Sequence, residues 1–275
     1  VALNLILVIN FKLDVAGVAV ATVISQYISA VLVISSLKKS TNMIRLHLRK
    51  LRINVKALLR IVRLGVPACV QSVAFAFSNV MIQSAVNSFG SSTIVAGNSA
   101  AANLEGFIYT STNAFYQAAI TFTGQNVGAN NYQRISKILR TCMLWVFIIG
   151  GSLSTLLLLF DKPLLGIYAP GNLEVIENGA KRLMVVLPLY FLCGEMETAS
   201  GSLRGMGCSL TPMIVSILGA CGIRILWILT IFEKYRDIQV LYVSLPISWL
   251  ITMSVHLICI LFVKKNLIKK KQALS

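Results

Sequence analysis

Three glutamates and one arginine stand where so apolar a chain should hold no charge. Glu195 and Glu197 lie two positions apart in LYFLCGEMETASGSLRG (Leu189–Gly205), Glu105 sits in VAGNSAAANLEGFIY (Val95–Tyr109), and Arg224 interrupts a later apolar run. A charge at a bilayer centre costs roughly 2.5–3.5 kcal/mol on the mildest scale, so side chains kept there face a bundle interior or a wet cavity and often mark proton or ion paths. The chemistry on offer is reversible ionisation of a buried carboxyl group. Glu195 and Glu197 are about 200° apart around a helix, so they are not expected to share one lumen. Counted inward from the outer helix ends at about 1.5 Å per residue, Arg224 lies roughly 9 Å shallower than Glu195 and roughly 6 Å shallower than Glu105. Its stem can span either gap. The expectation is one glutamate fixed in an ion pair with Arg224 and another that titrates, with the assignment open.

Two flanking segments add polar stripes. Gln71, Asn79, Gln83 and Asn87 recur at spacings of eight, four and four; Asn98, Glu105, Tyr109, Thr112 and Tyr116 follow at seven, four, three and four, flanked by Asn113 and Gln117. Both patterns read as single helical faces. Polar contacts between membrane helices contribute only about 0.6 kcal/mol each as glue. Two long stripes, one carrying an acid, exceed that need and point to a hydrated cavity that tolerates amphiphiles.

Such residues must be positioned by membrane-spanning helices. Of 275 residues, 56% are hydrophobic and 12% charged, with a mean hydropathy of +0.79; a soluble domain carries about a quarter charged residues. A span needs about 20 mostly apolar residues. That length gives the tail of one span at 1–11 and seven complete spans near 15–37, 65–89, 93–126, 138–160, 181–204, 209–232 and 240–263. The third is long enough to tilt strongly or run on past the bilayer. Pro188, seven residues before Glu195, is read as an ordinary kink, with a hinge as the alternative. Val1 opens in mid-run without Met, so the sequence reads as a segment of a longer protein without a signal peptide.

The net charge of +16 does not mark a nucleic-acid partner, because Lys and Arg cluster in short runs between apolar spans. Crossing the spans alternately puts eighteen basic residues on one side and six on the other, with Arg224 inside a span. The positive-inside bias makes the richer side, and the C-terminus, cytoplasmic in a plasma-membrane protein. The densest basic run, 38–63, reads as a topogenic loop at a boundary between two bundles; its end, NVKALLRIVRLGVP (Asn54–Pro67), alternatively suits an amphipathic helix lying on the membrane surface. Six cysteines without a C-x-x-C pair and two unrelated histidines, His47 and His256, give neither a disulfide framework nor a metal site. No aspartate falls within a span and no H-E-x-x-H occurs, so an intramembrane enzyme is the remote alternative.

GVAVATVISQ (Gly17–Gln26), RLGVPACVQS (Arg63–Ser72), VAGNSAAANLEGFIY, QNVGANN (Gln125–Asn131) and SGSLRGMG (Ser200–Gly207), in this order, resemble the MATE multidrug and toxic compound extrusion transporters of bacterial type. The resemblance implies an all-α polytopic bundle of two six-helix lobes. Residues 1–37 would end the first lobe, 38–56 form a basic cytoplasmic connector, 57–263 form the whole second lobe, and 264–275 a basic tail. It implies antiport of cationic or amphiphilic organic compounds against Na+ or H+ across the lipid bilayer, by a single copy, without cofactor or metal. Relatives couple through acids in the seventh and tenth spans. Here the span after Pro67 carries none, and Cys193 stands at the tenth-span position, so Glu195, Glu197 and Glu105 become the coupling candidates. Gln71, Asn79, Gln83, Asn87, Asn98, Tyr109, Tyr116 and Gln117 are the candidate cavity lining. The alternative is a lipid-linked oligosaccharide flippase of the same broader fold, which should hold several basic residues within its spans, where only Arg224 is found.

Overall fold

The computed structural model describes residues 3, 6–10, 14–39, 46–47 and 52–272, and every regular element among them is helical. Much of the expected 1–11 span tail and of the 38–56 connector, with Lys12, Arg45, Arg49 and Lys50, lies outside the described residues, as do 273–275. The chain divides into two compact units, Val1–Leu58 and Leu59–Ser275.

In the first unit a π turn at Ile6–Asn10 precedes α1, Asp14–Lys39. Thr22 and Ser25 donate to the carbonyls of Val18 and Ala21, each at 2.8 Å, so their hydroxyls are satisfied within the helix and need no water. Lys38 and Lys39 close the last turn, where positive charge suits the helix dipole.

The helix α2, Val55–Asn87, begins at a cap: Asn54 Oδ1 accepts from the backbone N–H of Lys56 at 3.0 Å and of Ala57 at 3.3 Å. The stretch 55–67 is therefore helical and not a loop: it forms the first turns of one 33-residue helix that includes Pro67. Next come α3, Ser92–Gly128, capped by Ser91; α4, Gln133–Leu159; the short α5, Asp161–Tyr168; and α6, Leu173–Val186, capped by Asn172. A 3-10 turn at Leu187–Leu189 leads into α7, Phe191–Gly205, and the pair bends by 48° there. Pro188 sits inside the turn, where its missing N–H and its ring break the α-helical ladder. Last are α8, Leu210–Tyr235, interrupted by π turns at Ile217–Gly222 and Ile228–Phe232, and α9, Ile238–Gln272.

Five helices are long and apolar enough to cross a membrane, and the bent α6–α7 pair makes a sixth if it counts as one span. The sequence predicts seven full spans. The difference is α3, which forms as one helix of 37 residues, about 55 Å at 1.5 Å per residue. Its run of Asn, Gln, Ser and Thr makes it less apolar than the other long helices.

In the second unit α3 is the central element, packed against α4, α6 and α7. A row of glycines sets how near α7 comes. A Cβ on Gly201 would stand 2.9 Å from the Tyr116 backbone oxygen and ring, and one on Gly205 would stand 2.7 Å from the Ile120 oxygen. Gly194, seven residues before Gly201, meets Val146 and Thr112 in the same way. The main apolar core gathers Leu104, Ile108, Leu183, Leu187, Met196 and Tyr242; a smaller one joins Ile135, Leu139, Leu203 and Ile260. All six cysteines are free, with Cys142 and Cys221 buried.

Candidate functional site

A cavity of about 750 Å³ opens within the second unit, between residues of α2, α3, α6, α7, α8 and α9. The two polar stripes meet across it. Gln71, Asn79 and Gln83 face it from α2, and Asn98, Glu105, Tyr109, Tyr116 and Gln117 from α3, with Asn113 beside them. Asn87 is not in the lining: it is exposed and accepts a hydrogen bond from Gln83 Nε2 at 3.0 Å. Each four-residue step advances about 400° around a helix, so a stripe spaced by fours drifts some 40° per step and carries Asn87 off the face that Gln71 starts.

The acids separate as well. Glu105 and Glu197 line the cavity; Glu195 does not, because it points to another side of α7. Glu105 is buried and held at both oxygens: Arg182 Nε donates to Oε1 and Nη2 to Oε2, each at 2.7 Å. Arg182 Nη1 donates to Asn98 Oδ1 at 2.6 Å, and Asn98 Nδ2 donates to Gln83 Oε1 at 2.9 Å. The guanidinium also lies over the Tyr242 ring, 5.4 Å from its centre. A buried carboxylate with a two-point arginine partner is fixed in place.

Arg224 is not the partner of any glutamate. Its Nε donates to Ser248 Oγ at 2.9 Å, and its guanidinium lies 5.8 Å from the centre of the Trp249 ring. Glu105 takes Arg182 instead, a residue whose sequence position suggests the outer side of the membrane. The signal was there: Val175, Gly179, Arg182, Leu183 and Val186 follow the buried face of α6, while Lys181 next door is exposed. Arg204, one of the eighteen basic residues that the charge count assigns to the richer side, also lines the cavity. It donates through Nη1 to Tyr116 Oη and through Nη2 to Gln71 Oε1 at 2.8 Å, and Gln71 Nε2 donates to Ser216 Oγ at 3.1 Å.

The cavity thus has two polar regions on one helix. Glu105 and Tyr116 are eleven residues apart on α3, about 16 Å along its axis. At the first, Glu105, Arg182 and Asn98 satisfy one another. At the second, Arg204 donates to Tyr116 and Gln71 through its terminal nitrogens, while its Nε is enclosed without a partner among the described residues. Glu197 lies within electrostatic reach of Arg204 but forms neither an ion pair nor a hydrogen bond with any described residue. It is the carboxylate in the cavity whose oxygens remain available.

A family model described as MatE matches residues 67–229. Two curated relatives are similar over most of the chain. The probable multidrug resistance protein YoeA of Bacillus subtilis is 25% identical over 247 residues, covering 88% of this chain and 53% of that protein. The probable multidrug resistance protein NorM of Thermotoga maritima is 22% identical over 221 residues, covering 78% and 46%. The chain spans about half the length of the curated relatives it matches. Among solved structures, an outward-facing multidrug resistance MATE family transporter of the MOP superfamily superposes with a TM-score of 0.88 at 16% identity, over 98% of this chain and 60% of that one. A MOP superfamily transporter from Pyrococcus furiosus superposes with a TM-score of 0.87 at 17% identity, over 97% and 60%. At these identities the likeness is one of fold.

Proposed function

Since the chain belongs to the MatE family, we propose that the protein is a secondary antiporter, exporting cationic or amphiphilic organic compounds across the plasma membrane in exchange for Na+ or H+. The C-terminus lies in the cytoplasm in this reading, and residues 57–263 form the second lobe. The observation that carries it is the contrast between the two cavity acids. Glu105 is consumed by Arg182, whereas Glu197 faces the cavity with both oxygens open. Glu197 is the group that exchanges. In one state it holds a proton or Na+; in the other it meets the cationic group of the substrate. Because one carboxylate cannot serve both at once, ion entry releases substrate, and the lobes alternate between sides as the occupant changes.

The cavity holds three arginines where the sequence suggests one, which bears on the flippase alternative. Two of the three are already committed, Arg182 to Glu105 and Arg204 to Tyr116 and Gln71. The lining therefore lacks the set of open cations that an anionic, lipid-linked headgroup would need. The matched curated relatives are described as multidrug resistance proteins, which supports export of small molecules.

The test is efflux of ethidium from proteoliposomes holding the full-length protein, under an imposed Na+ gradient and separately under an imposed pH gradient. One gradient should accelerate efflux. Equal efflux with and without either gradient overturns the antiport reading.

A further inference from the structure

We propose that Arg224 is an anion anchor, so that the cavity selects amphiphiles carrying an acid group together with a basic amine; the proposal rests on this cavity being the substrate site. Arg224 is 3% exposed, and a buried cation that lacks an anion is strongly destabilising. Its neighbours do not supply one. Its Nε is bound by Ser248, while neither terminal amino group has a partner among the described residues. Both are absent from the set of enclosed, unpartnered polar atoms, which does include Nε of Arg204. The free fork of Arg224 therefore opens on cavity space, which it lines. The other two arginines spend their forks on protein.

The surroundings hold that fork in place. Trp249 lies against the guanidinium, and Tyr190 meets Trp249 edge-on at 5.4 Å and 74°. Arg224 stands between the π turns Ile217–Gly222 and Ile228–Phe232 of α8. Such turns cost helix stability and recur at functional sites. A stacked, planar arginine with two parallel N–H groups free matches a carboxylate or sulfonate at two points. Leu245, Met196 and Phe75 offer apolar surface to the body of the ligand.

The acid group adds a second contact in a cavity that holds three arginines and two glutamates. A bare cation is held through Glu197 alone, and more weakly. A ligand with both charges places its acid on Arg224 and its amine on Glu197. Arg224 and Glu197 line the same cavity, so one ligand meets both. Protonation of Glu197 removes one of the two anchors and leaves the other, which suits release by exchange.

Three dansyl compounds separate the charges on one body. Nα-dansyl-lysine carries both groups, dansylcadaverine lacks the carboxylate, and dansyl-norleucine lacks the amine. Binding is read by fluorescence polarisation with the purified full-length protein in detergent. The wild type should bind dansyl-lysine about tenfold more tightly than dansylcadaverine, the scale of one charge-assisted bidentate contact. Arg224→Gln should bring these two within about twofold of each other, and Arg224→Lys should keep part of the difference, since a lysine is a point charge without the fork. Equal affinity of the wild type for the two compounds overturns the proposal, as does a difference that survives Arg224→Gln. Should Arg224→Gln fail to fold, the wild-type ratio and Arg224→Lys decide it. Absence of binding by all three also overturns it. Gradient-driven ethidium efflux, after the same protein is reconstituted into liposomes, then shows whether the antiport reading stands without the anchor.

Discussion

Arg182 on α6 grips both oxygens of Glu105 on α3, Nε to Oε1 and Nη2 to Oε2, each at 2.7 Å, inside the helix bundle. Two charges seventy-seven positions apart in the chain thereby become one neutral strut between neighbouring helices. Removing one partner strands the other as a buried charge, a loss of about 3–5 kcal/mol. Arg182→Met should therefore lower the thermal unfolding temperature in detergent by several degrees, whereas Lys181→Met, on the exposed side of the same turn, should leave it in place. An unchanged melting curve for Arg182→Met would contradict the strut.

Asn98 extends that strut, accepting from Arg182 Nη1 and donating to Gln83. Asn98→Leu leaves a buried donor unpaired and should cost about 1–3 kcal/mol. Asn87→Ala removes only an exposed acceptor and should stay within about 0.5 kcal/mol. Urea titration of the two variants in mild detergent compares them directly, and equal losses would refute the burial argument.

Among the acids, the cavity singles out Glu197. Glu197→Gln should abolish gradient-driven ethidium efflux while the protein remains monodisperse and inserted. Glu195→Gln, whose side chain lies outside the cavity lining, should transport like the wild type. The reverse pattern, measured in proteoliposomes, would move the exchanging group to Glu195.

Gly201 is a point of close α3–α7 approach, with Tyr116 atoms 2.9 Å from where a Cβ would be. Gly201→Val forces the helices apart and should cost about 1–3 kcal/mol. Gly151→Ala, where nothing lies within 4 Å of the added atom, serves as the neutral comparison on α4. A Gly201→Val protein as heat-stable as Gly151→Ala would show that the close approach is dispensable.

Much of this site is legible in the sequence because helical spacing alone places Gln71, Asn79, Gln83, Asn98, Glu105 and Tyr109 on faces that meet. The 200° separation of Glu195 and Glu197 anticipates that one of them must leave the cavity, though it cannot say which. What the sequence hides has two physical origins. Counting charges by side treats every Lys and Arg near a span end as solvated, so Arg182 and Arg204 vanish into the tally although helix phase turns both inward. Partner choice is hidden for a second reason. Arg224 looks nearest to the glutamates by depth, but depth says nothing about rotation, and its side chain faces Ser248 on α9.

The wall formed by α2 is fastened unevenly. Near its C-terminal end Ile82, Ala85 and Val86 are buried in the main core, while earlier in the helix the buried side chains are Pro67, Gln71 and Ser78. Across the cavity α3 and α7 are clasped backbone to backbone by glycines, with no slack between them. Such a compartment behaves like a door hung on one jamb. The free edge is where Gln71 latches onto Arg204 and Ser216, and breaking two hydrogen bonds there would cost far less than prising glycine-lined helices apart.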